Sequence, residues 1–578
     1  MNHKIKLKDA LKTFTQDQDK IKTPEETVAH FRERINVVNL DILEDAKRID
    51  NGRLDIPVYF SVCGKDARKV TGTNKQMGKG ATPAQAEASA VMELAERFSF
   101  FSFVNTPTHF FTATAKEAGE AAIPFSMIAA SVHDDSDELD ITRQIFESLP
   151  LKWTWGYNLT QGREVLIPFD WFFMINEFNG PSAGNCAEEA ISQGISEIVE
   201  RHVSSLISQR QLAVPGILPE TAEDPTVQAL LAKYRNAGIN LYLSDFSLGT
   251  GIPTVGVLAY DPTTFPNSSE IVWTAGTTPD PEKALSRALT ETAQLAGDFN
   301  TGSNYIASGL PKFQTLSQAG TIMNPKKMVS MKTLPNLANP NIRIEVENMV
   351  SALGKNRMEV MLINTMHPDL QIPAFYTIVP GAHFRERAVG TSVGMFSAKM
   401  IAENSPPFIA VSQLEKMNKL LPDKYYIRFY LGNCHLAMDD PETALPHFEA
   451  AIELDPPLQD QTSIYSYMGV CLKDMGRYEE AIGVLKKGED LDKERTDIYN
   501  LLGFCNFKLK RHEEAIACFK NVIRIDPSSA IDYANIASNY RDMGNKEKAI
   551  QYYLMALEMD PSIDFARDNL EKLGFPTA

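Results

Sequence analysis

The sequence predicts an N-terminal α/β (α+β) domain followed by an all-α helical-repeat solenoid, and three observations carry that expectation. Up to about residue 400, runs of β-branched and aromatic residues alternate with long helical patterns. Three of those helical patterns carry a polar stripe on an otherwise apolar helix. Beyond residue 424, small residues recur at Gly432, Gly469, Gly503 and Ala537, spaced by 37, 34 and 34. A fixed period of that length is the mark of stacked helical hairpins.

The first fifty residues are polar. Their clearest helix starts at Thr23-Pro24-Glu25-Glu26-Thr27, a hydroxyl cap before a proline at the first helical position. Strands are expected over Pro57–Cys63, at Trp153–Trp155, over Glu164–Pro168 and Trp171–Ile175, and again over Ile239–Leu243, Ile252–Ala259 and Ile271–Thr274. Between the first of these and the next helix lies Thr71–Pro83, a glycine-rich stretch containing Gly78-Lys79-Gly80. It is expected to be a turn and resembles a phosphate loop, but five residues separate Gly72 from Gly78 and Gly80 stands where that template needs Ser or Thr. Lys79 beside a helix start can still meet an anion; a solvated loop lysine is the alternative.

The stripes are Ser89, Glu93 and Glu96; then Glu189, Gln193, Glu197 and Glu200; then Arg287, Glu291 and Gln294. Steps of three and four residues put each set on one helical face. Ala90, Val91, Leu94 and Phe98, with their counterparts in the other two helices, are apolar enough to bury the opposite sides. One acidic stripe is ordinarily a solvated face. Three in one domain, the second entered from the turn-rich loop Asn179–Asn185, would repel one another if they converged, and Mg²⁺ with oxygen ligands is the natural neutraliser. Arg97 and Arg287 add donors suited to phosphate.

Lys plus Arg total 57 against 74 Asp plus Glu, a net charge of −17 that argues against direct nucleic-acid binding. The six cysteines form no C-x-x-C pair, so neither a zinc ribbon nor a thioredoxin motif is signalled and a reducing, cytoplasmic setting is expected. No apolar run is long enough for a membrane span, and no export signal is read. Cys63 and Cys186 are read as buried and inert or as nucleophiles, and His202 and His383 as structural or as acid–base groups; the residues alone leave both pairs open.

Taken together, S-x-x-x-E-x-x-E-R at Ser89–Arg97, the G-x-x-x-G-N region running to Glu200-Arg201, and R-A-x-x-E-x-x-Q at Arg287–Gln294 resemble the YcaO family over roughly residues 1–400. The resemblance implies a nucleotide site without a phosphate loop, in which carboxylates hold Mg²⁺ ions that bind the phosphates of ATP. It implies ATP contacts from Lys8, Thr27, Lys79, Ser89, Gln193, Arg287 and Gln294, and metal ligands Glu93, Glu96, Glu189, Glu197, Glu200 and Glu291. It further implies activation of a peptide amide through its oxygen, leading to azolines, thioamides or amidines, and a homodimer. Many azoline-forming relatives end in a proline-rich tail, which Gly574–Ala578 does not resemble. The expectation therefore moves from an azoline-forming cyclodehydratase toward thioamidation or a related sulfur-linked modification of a peptide or protein. The rival readings are a non-catalytic scaffold assisting a methylthiotransferase, and a metal-dependent hydrolase or ligase.

A linker and leading helix are expected over 403–423, starting at Glu403-Asn404-Ser405-Pro406-Pro407 and ending the first domain at 402. Residues 424–572 then resemble about four tetratricopeptide repeats: Ala444, Ala481, Ala515 and Ala549 follow twelve residues after each repeat's small residue, with Phe448, Leu485, Phe519 and Tyr553 as the large partners. The repeats are expected to recruit the substrate or a sulfur-delivering or methylthiotransferase partner. After residue 410 there are 28 acidic and 20 basic residues. That excess would favour a basic partner, and solvated solenoid faces account for it equally well.

Overall fold

A computed structural model describes residues 3–300, 310–384 and 391–575. Contacts divide the chain into two units, one of residues 1–135 and 147–387 and one of residues 136–146 and 388–578.

Three sheets build the first unit. Leu43–Arg48, Val58–Cys63 and Lys75–Lys79 form an antiparallel sheet in chain order. A second sheet runs Val272–Thr277, Thr254–Tyr260, Asn240–Asp245, Gly216–Ile217, Met328–Val329, antiparallel except for the last pair. The third orders Phe111–Ala113, Leu151–Asn158, Met361–Asn364, Ala374–Ile378 and Pro181–Ala183, with Arg163–Pro168 also paired to Leu151–Asn158.

Each striped helix buries its apolar side in a different part of this framework. Pro83–Val104 is capped by Thr82, whose hydroxyl accepts from the Gln85 N–H, and packs Val91, Leu94 and Phe98 against Phe31, Ile35 and Cys63. Ala187–Gln209 sets Ile191, Ile195, Ile198 and Val203 among Phe246, Leu258 and Trp273. Pro281–Ala296, capped by Asp280, sets Leu285, Ala288 and Leu289 against Leu231, Tyr234 and Val257. All three helices therefore have one side fixed by core packing, which leaves the stripe as the side that faces something else.

A glycine seats each of these helices. A Cβ at Gly78 would lie 2.6 Å from the Ala86 carbonyl oxygen of the first helix, and one at Gly276 would lie 2.6 Å from the Ala288 nitrogen of the third. Gly194, inside the second helix, would place a Cβ 2.8 Å from Ser182 Oγ on the neighbouring sheet. Helix and strand approach to a distance that only a missing side chain allows.

Three sequence expectations change here. The glycine-rich segment is not a loop over its lysine: Lys75–Lys79 is a strand paired with Val58–Cys63, because ladder hydrogen bonds and the close seat at Gly78 outweigh its turn-like composition. Trp171–Ile175 lies in the helix Phe169–Asn176, an apolar run whose short length could not distinguish strand from helix. The loop Asn179–Asn185 contains the short strand Pro181–Ala183, which pairs with Ala374–Tyr376.

In the second unit the expected linker is a two-residue break. The helix Val393–Asn404 ends at Ser405 and Pro407–Leu420 begins directly, proline supplying the start. Residues 391–402, expected from the sequence in the first domain, group by contacts with this unit. Four helix pairs follow, Tyr425–Ala437 with Pro441–Glu453, Leu458–Asp474 with Tyr478–Leu491, Thr496–Lys508 with His512–Ile525, and Ala530–Asp542 with Lys546–Met559, before the helix Asp564–Lys572. Phe448 and Phe519 fill the space over Gly432 and Gly503, and Leu485 fills that over Gly469. Cys434, Cys471 and Cys505 are buried, and burial pushes their thiols up to about 11, 12 and 11.

Gly483 contrasts with these packing glycines. It sits within Tyr478–Leu491, exposed, with nothing near its missing side chain. Gly483→Ala is expected to raise stability by about 0.5–1 kcal/mol, since alanine restricts the unfolded chain and suits the helix. Chemical denaturation with two probes checks this, and a lowered midpoint would contradict the assigned environment.

Candidate functional site

The three stripes line one cavity of about 180 Å³ in the first unit, bounded by Lys79, Ser89, Glu93, Glu96, Glu189, Gln193, Arg287 and Thr27 together with a strap of the N-terminal segment. Its walls thus come from the strand Lys75–Lys79, all three striped helices and the first helix, Pro24–Val38, whose Thr23–Glu26 capping box fixes Thr27 near the opening.

Ion pairs within and between the stripes surround the cavity. Arg287 Nη1 donates to Gln193 Oε1 at 2.8 Å and its Nε lies 3.5 Å from Glu200 Oε2. Lys79 pairs with Glu291. Arg97 lies 3.6 Å from Glu96 and 3.9 Å from Glu93, and Arg201 lies 3.8 Å from Glu197. Guanidinium and ammonium groups therefore supply in this structure the neutralisation that the sequence reading gave to Mg²⁺ alone. Among the described residues, no group of three or more His, Cys, Asp or Glu converges closely enough to hold a metal ion.

The neutralisation is incomplete. Burial drives the Glu96 carboxyl well above the usual carboxylate range; Arg97 opposes this, and Glu197 and Glu93 add to it. Burial also raises Glu197, against Arg201 and Arg97. Glu200 Oε2 is buried and, although near Arg287, makes no hydrogen bond, and Arg201 Nε is likewise without an acceptor. Burial and the adjacent Arg287 depress Lys79 to about 8, outweighing Glu93 and Glu200. These carboxylates are hard oxygen donors with unspent charge, a donor set whose chemistry fits Mg²⁺.

The expected ATP and metal residues divide into groups. Thr27, Lys79, Ser89, Gln193 and Arg287 face the cavity, as do Glu93, Glu96 and Glu189. Glu197, Glu200 and Glu291 join through the ion pairs without lining it. Gln294 does not line the cavity, and its Nε2 lies 3.9 Å from Met77 Sδ. Lys8 is exposed and is held by its backbone N–H, which donates to Glu188 Oε1 at 2.6 Å. Glu189 uses both carboxylate oxygens on N–H groups, Oε1 accepting from Ile21 at 2.6 Å and Oε2 from Asn185 at 3.0 Å. In this structure it fastens the strap and the entry loop to the second helix.

Sequence reasoning missed that strap. Asp17, Gln18, Lys20 and Lys22 all line the cavity. Asp17 is buried, accepting from Ser286 Oγ at 2.5 Å and from the Ala81 N–H at 2.7 Å, so it joins the strap to the third helix and to the start of the first. No periodicity marks this polar stretch, so only tertiary contacts reveal it. The candidate nucleophiles and bases fall elsewhere: Cys63 is buried in the core, burial raises Cys186 to about 12, and the His383 N–H donates to His202 Nδ1 at 3.0 Å away from the cavity.

Residues 77–383 match the family model described as YcaO cyclodehydratase, ATP- and Mg²⁺-binding. The chain belongs to the YcaO family. This YcaO domain is the family's ATP- and Mg²⁺-binding domain, and all three stripes fall inside the matched span. Residues 494–562 match a tetratricopeptide-repeat model, and 438–522 match one for subunit 3 of the anaphase-promoting complex, or cyclosome. Among relatives, an uncharacterised protein of Methanothermobacter thermautotrophicus is 26% identical over 378 residues, 62% of this chain and 93% of its own length. The ribosomal protein S12 methylthiotransferase accessory factor YcaO of Escherichia coli is 27% identical over 47% of this chain, which spans only 48% of that protein. A solved heterocyclase in complex with substrate and cofactor shares the fold at a TM-score of 0.54 and 22% identity, covering 66% of this chain and 55% of that one. Among the described residues, no helix is long and apolar enough to cross a membrane.

Proposed function

We propose that the YcaO domain uses Mg-ATP to activate a backbone amide of a peptide or protein by phosphorylating its oxygen, leading to a thioamide or a related sulfur-linked modification. The observation that carries this reading is the cavity on which three carboxylate-bearing helices, Arg287 and Lys79 meet. Phosphoryl transfer asks a protein mainly for positioning and charge neutralisation, and this wall supplies both. Glu93 and Glu96 in the lining, with Glu197, Glu200 and Glu291 behind it, are the residues that would hold Mg²⁺, which when bound neutralises phosphate oxygens. Lys79 and Arg287 bind phosphate through charge-assisted hydrogen bonds. Ser89, Gln193 and Thr27 orient the nucleotide through neutral contacts, and the lysines of the strap extend the cationic wall. A sulfur-delivering partner brought by the repeats, and a homodimeric assembly, belong to the same proposal.

Calorimetric titration of the full chain with Mg-ATP tests the first half, and Lys79→Ala is expected to weaken binding by about tenfold, equivalent to about 1.4 kcal/mol. Absence of binding at millimolar nucleotide would instead favour a scaffold. Backbone mass spectrometry with and without the protein tests the second half: the signal sought is a site heavier by the difference between sulfur and oxygen, and a mass loss equal to water would point to azoline formation.

A further inference from the structure

A second cavity in the first unit, of about 40 Å³, shares Lys20, Glu189 and Gln193 with the larger one. Its wall is completed chiefly by Asp19 of the strap, Ser192 and Ser196 of the second striped helix, Thr278, Lys283 at the start of the third, and Glu345 of the helix Ile342–Lys355. Such a volume has room for about three waters and none for a nucleobase or sugar.

Among the described residues, two buried oxygens of this wall have no partner. Ser196 is 3% exposed, and its hydroxyl forms no hydrogen bond. Glu345, 2% exposed, spends Oε1 on Lys12 Nζ at 2.6 Å and on the Asn339 N–H at 2.9 Å, while Oε2 accepts nothing. Asp19 uses only Oδ2, on Lys12 Nζ at 2.7 Å, and Thr278 gives its hydroxyl proton to the Asp280 carbonyl at 2.6 Å, which leaves Oγ1 free to accept. Buried oxygens left in this way mark the place of a bound water or ion.

Charge decides between the two. Lys12 is shared by Asp19 and Glu345, and Lys283 spends its ammonium on the Thr15 and Gln16 carbonyls, both at 2.7 Å, and on Asp224 at 2.8 Å. Counting the charged groups that line the cavity and their direct ion-pair partners, four carboxylates (Asp19, Glu189, Asp224, Glu345) meet three ammoniums (Lys12, Lys20, Lys283). Burial raises the Glu345 carboxyl above its usual range; Lys12 and Asn339 oppose this, and Asp19 adds to it. A water cannot supply the missing positive charge, and a divalent ion would overshoot it. Only two of the free donors are acidic, in keeping with the absence among the described residues of any metal-holding group of three or more.

We infer that this cavity binds one partly dehydrated alkali-metal cation, sodium or potassium, through Glu345 Oε2, Asp19 Oδ1 and the hydroxyl oxygens of Ser196 and Thr278. Oxygen donors take the place of the ion's hydration shell. The ion ties the strap to the second striped helix and to Ile342–Lys355, and so steadies the wall that Lys20, Glu189 and Gln193 give to the larger cavity.

The test follows the thermal midpoint of the full chain in sodium, potassium or choline chloride at one ionic strength, with divalent ions chelated and no nucleotide present. A saturable rise of about 2–4 °C over choline is expected in at least one alkali chloride, and the ion with the lower half-saturating concentration is the one selected. Ser196→Ala is expected to keep the midpoint in choline and the helical circular dichroism, and to raise the half-saturating concentration by at least about tenfold. Glu345→Gln, which removes the surplus charge, is expected to abolish the rise. A midpoint indifferent to the cation shows a water-filled cavity and overturns the proposal, as does a rise that Ser196→Ala or Glu345→Gln leaves unchanged. Because the measurement contains no ATP, its failure and a failure of the proposed function are separate results.

Discussion

Glu96→Gln is expected to lower ATP turnover by at least about 100-fold while leaving the protein as stable as before, or more so. The amide keeps the shape of the side chain and removes the charge. In the folded chain that charge is penalised by burial and by Glu197 and Glu93, and Arg97, 3.6 Å away, and Arg287 offset only part of the penalty. A neutral group removes that burial penalty, so the thermal midpoint should hold or rise. Catalysis loses one anionic oxygen donor where phosphate charge must be balanced, and removing one preorganised electrostatic partner typically costs about 10²–10³ in rate. The combination of steady or raised stability with lost turnover identifies a functional carboxylate; a structural one would lose stability and keep turnover. Turnover within threefold of the original chain, measured as phosphate release at saturating Mg-ATP, would remove Glu96 from the site.

The second large effect comes from a single methyl group placed away from the cavity. Gly276→Ala puts a Cβ 2.6 Å from the Ala288 nitrogen and 3.1 Å from Arg287 Cβ, so the strand Val272–Thr277 and the helix Pro281–Ala296 must separate. Overpacking of this kind costs about 1–3 kcal/mol when the structure can adjust. Here the adjustment moves Arg287, which holds Gln193 at 2.8 Å and stands near Glu200. A lowered denaturation midpoint together with weakened nucleotide binding is expected, whereas the same substitution at Gly483 should raise the midpoint. If Gly276→Ala matches the original chain in both measurements, the close seat described for the third helix is incorrect.

The stripes were readable because their steps of three and four residues fall on helices whose remaining sides are apolar, and the repeats because Gly432, Gly469 and Gly503 recur with their large partners. The strands at 240–277 were readable from β-branched composition alone. Lys75–Lys79 was not, since its strand character comes from pairing with Val58–Cys63 and not from its own residues. Nor could spacing show that Arg287 would pair with Glu200 of the neighbouring stripe, or that Glu189 would spend its oxygens on Ile21 and Asn185; both depend on how separate elements meet. The strap at Asp17–Lys22 carries no periodic signal and becomes part of the site only through contacts such as Asp17 with Ser286. Family resemblance grouped the candidate residues but could not distinguish those facing the cavity from those that reach it only through ion pairs.

Gly78, Gly194 and Gly276 do not line the cavity, yet each fixes the distance from one striped helix to its sheet. The spacing of charges around the cavity is therefore set by backbone thickness, as tightly as rotamers set it elsewhere. A variant of this enzyme that retains every glutamate, arginine and lysine of the cavity but gains a methyl group at one of these three positions would look intact by any comparison of site residues. It would nonetheless behave as an enzyme with a widened gauge, its charges all present and none at working distance.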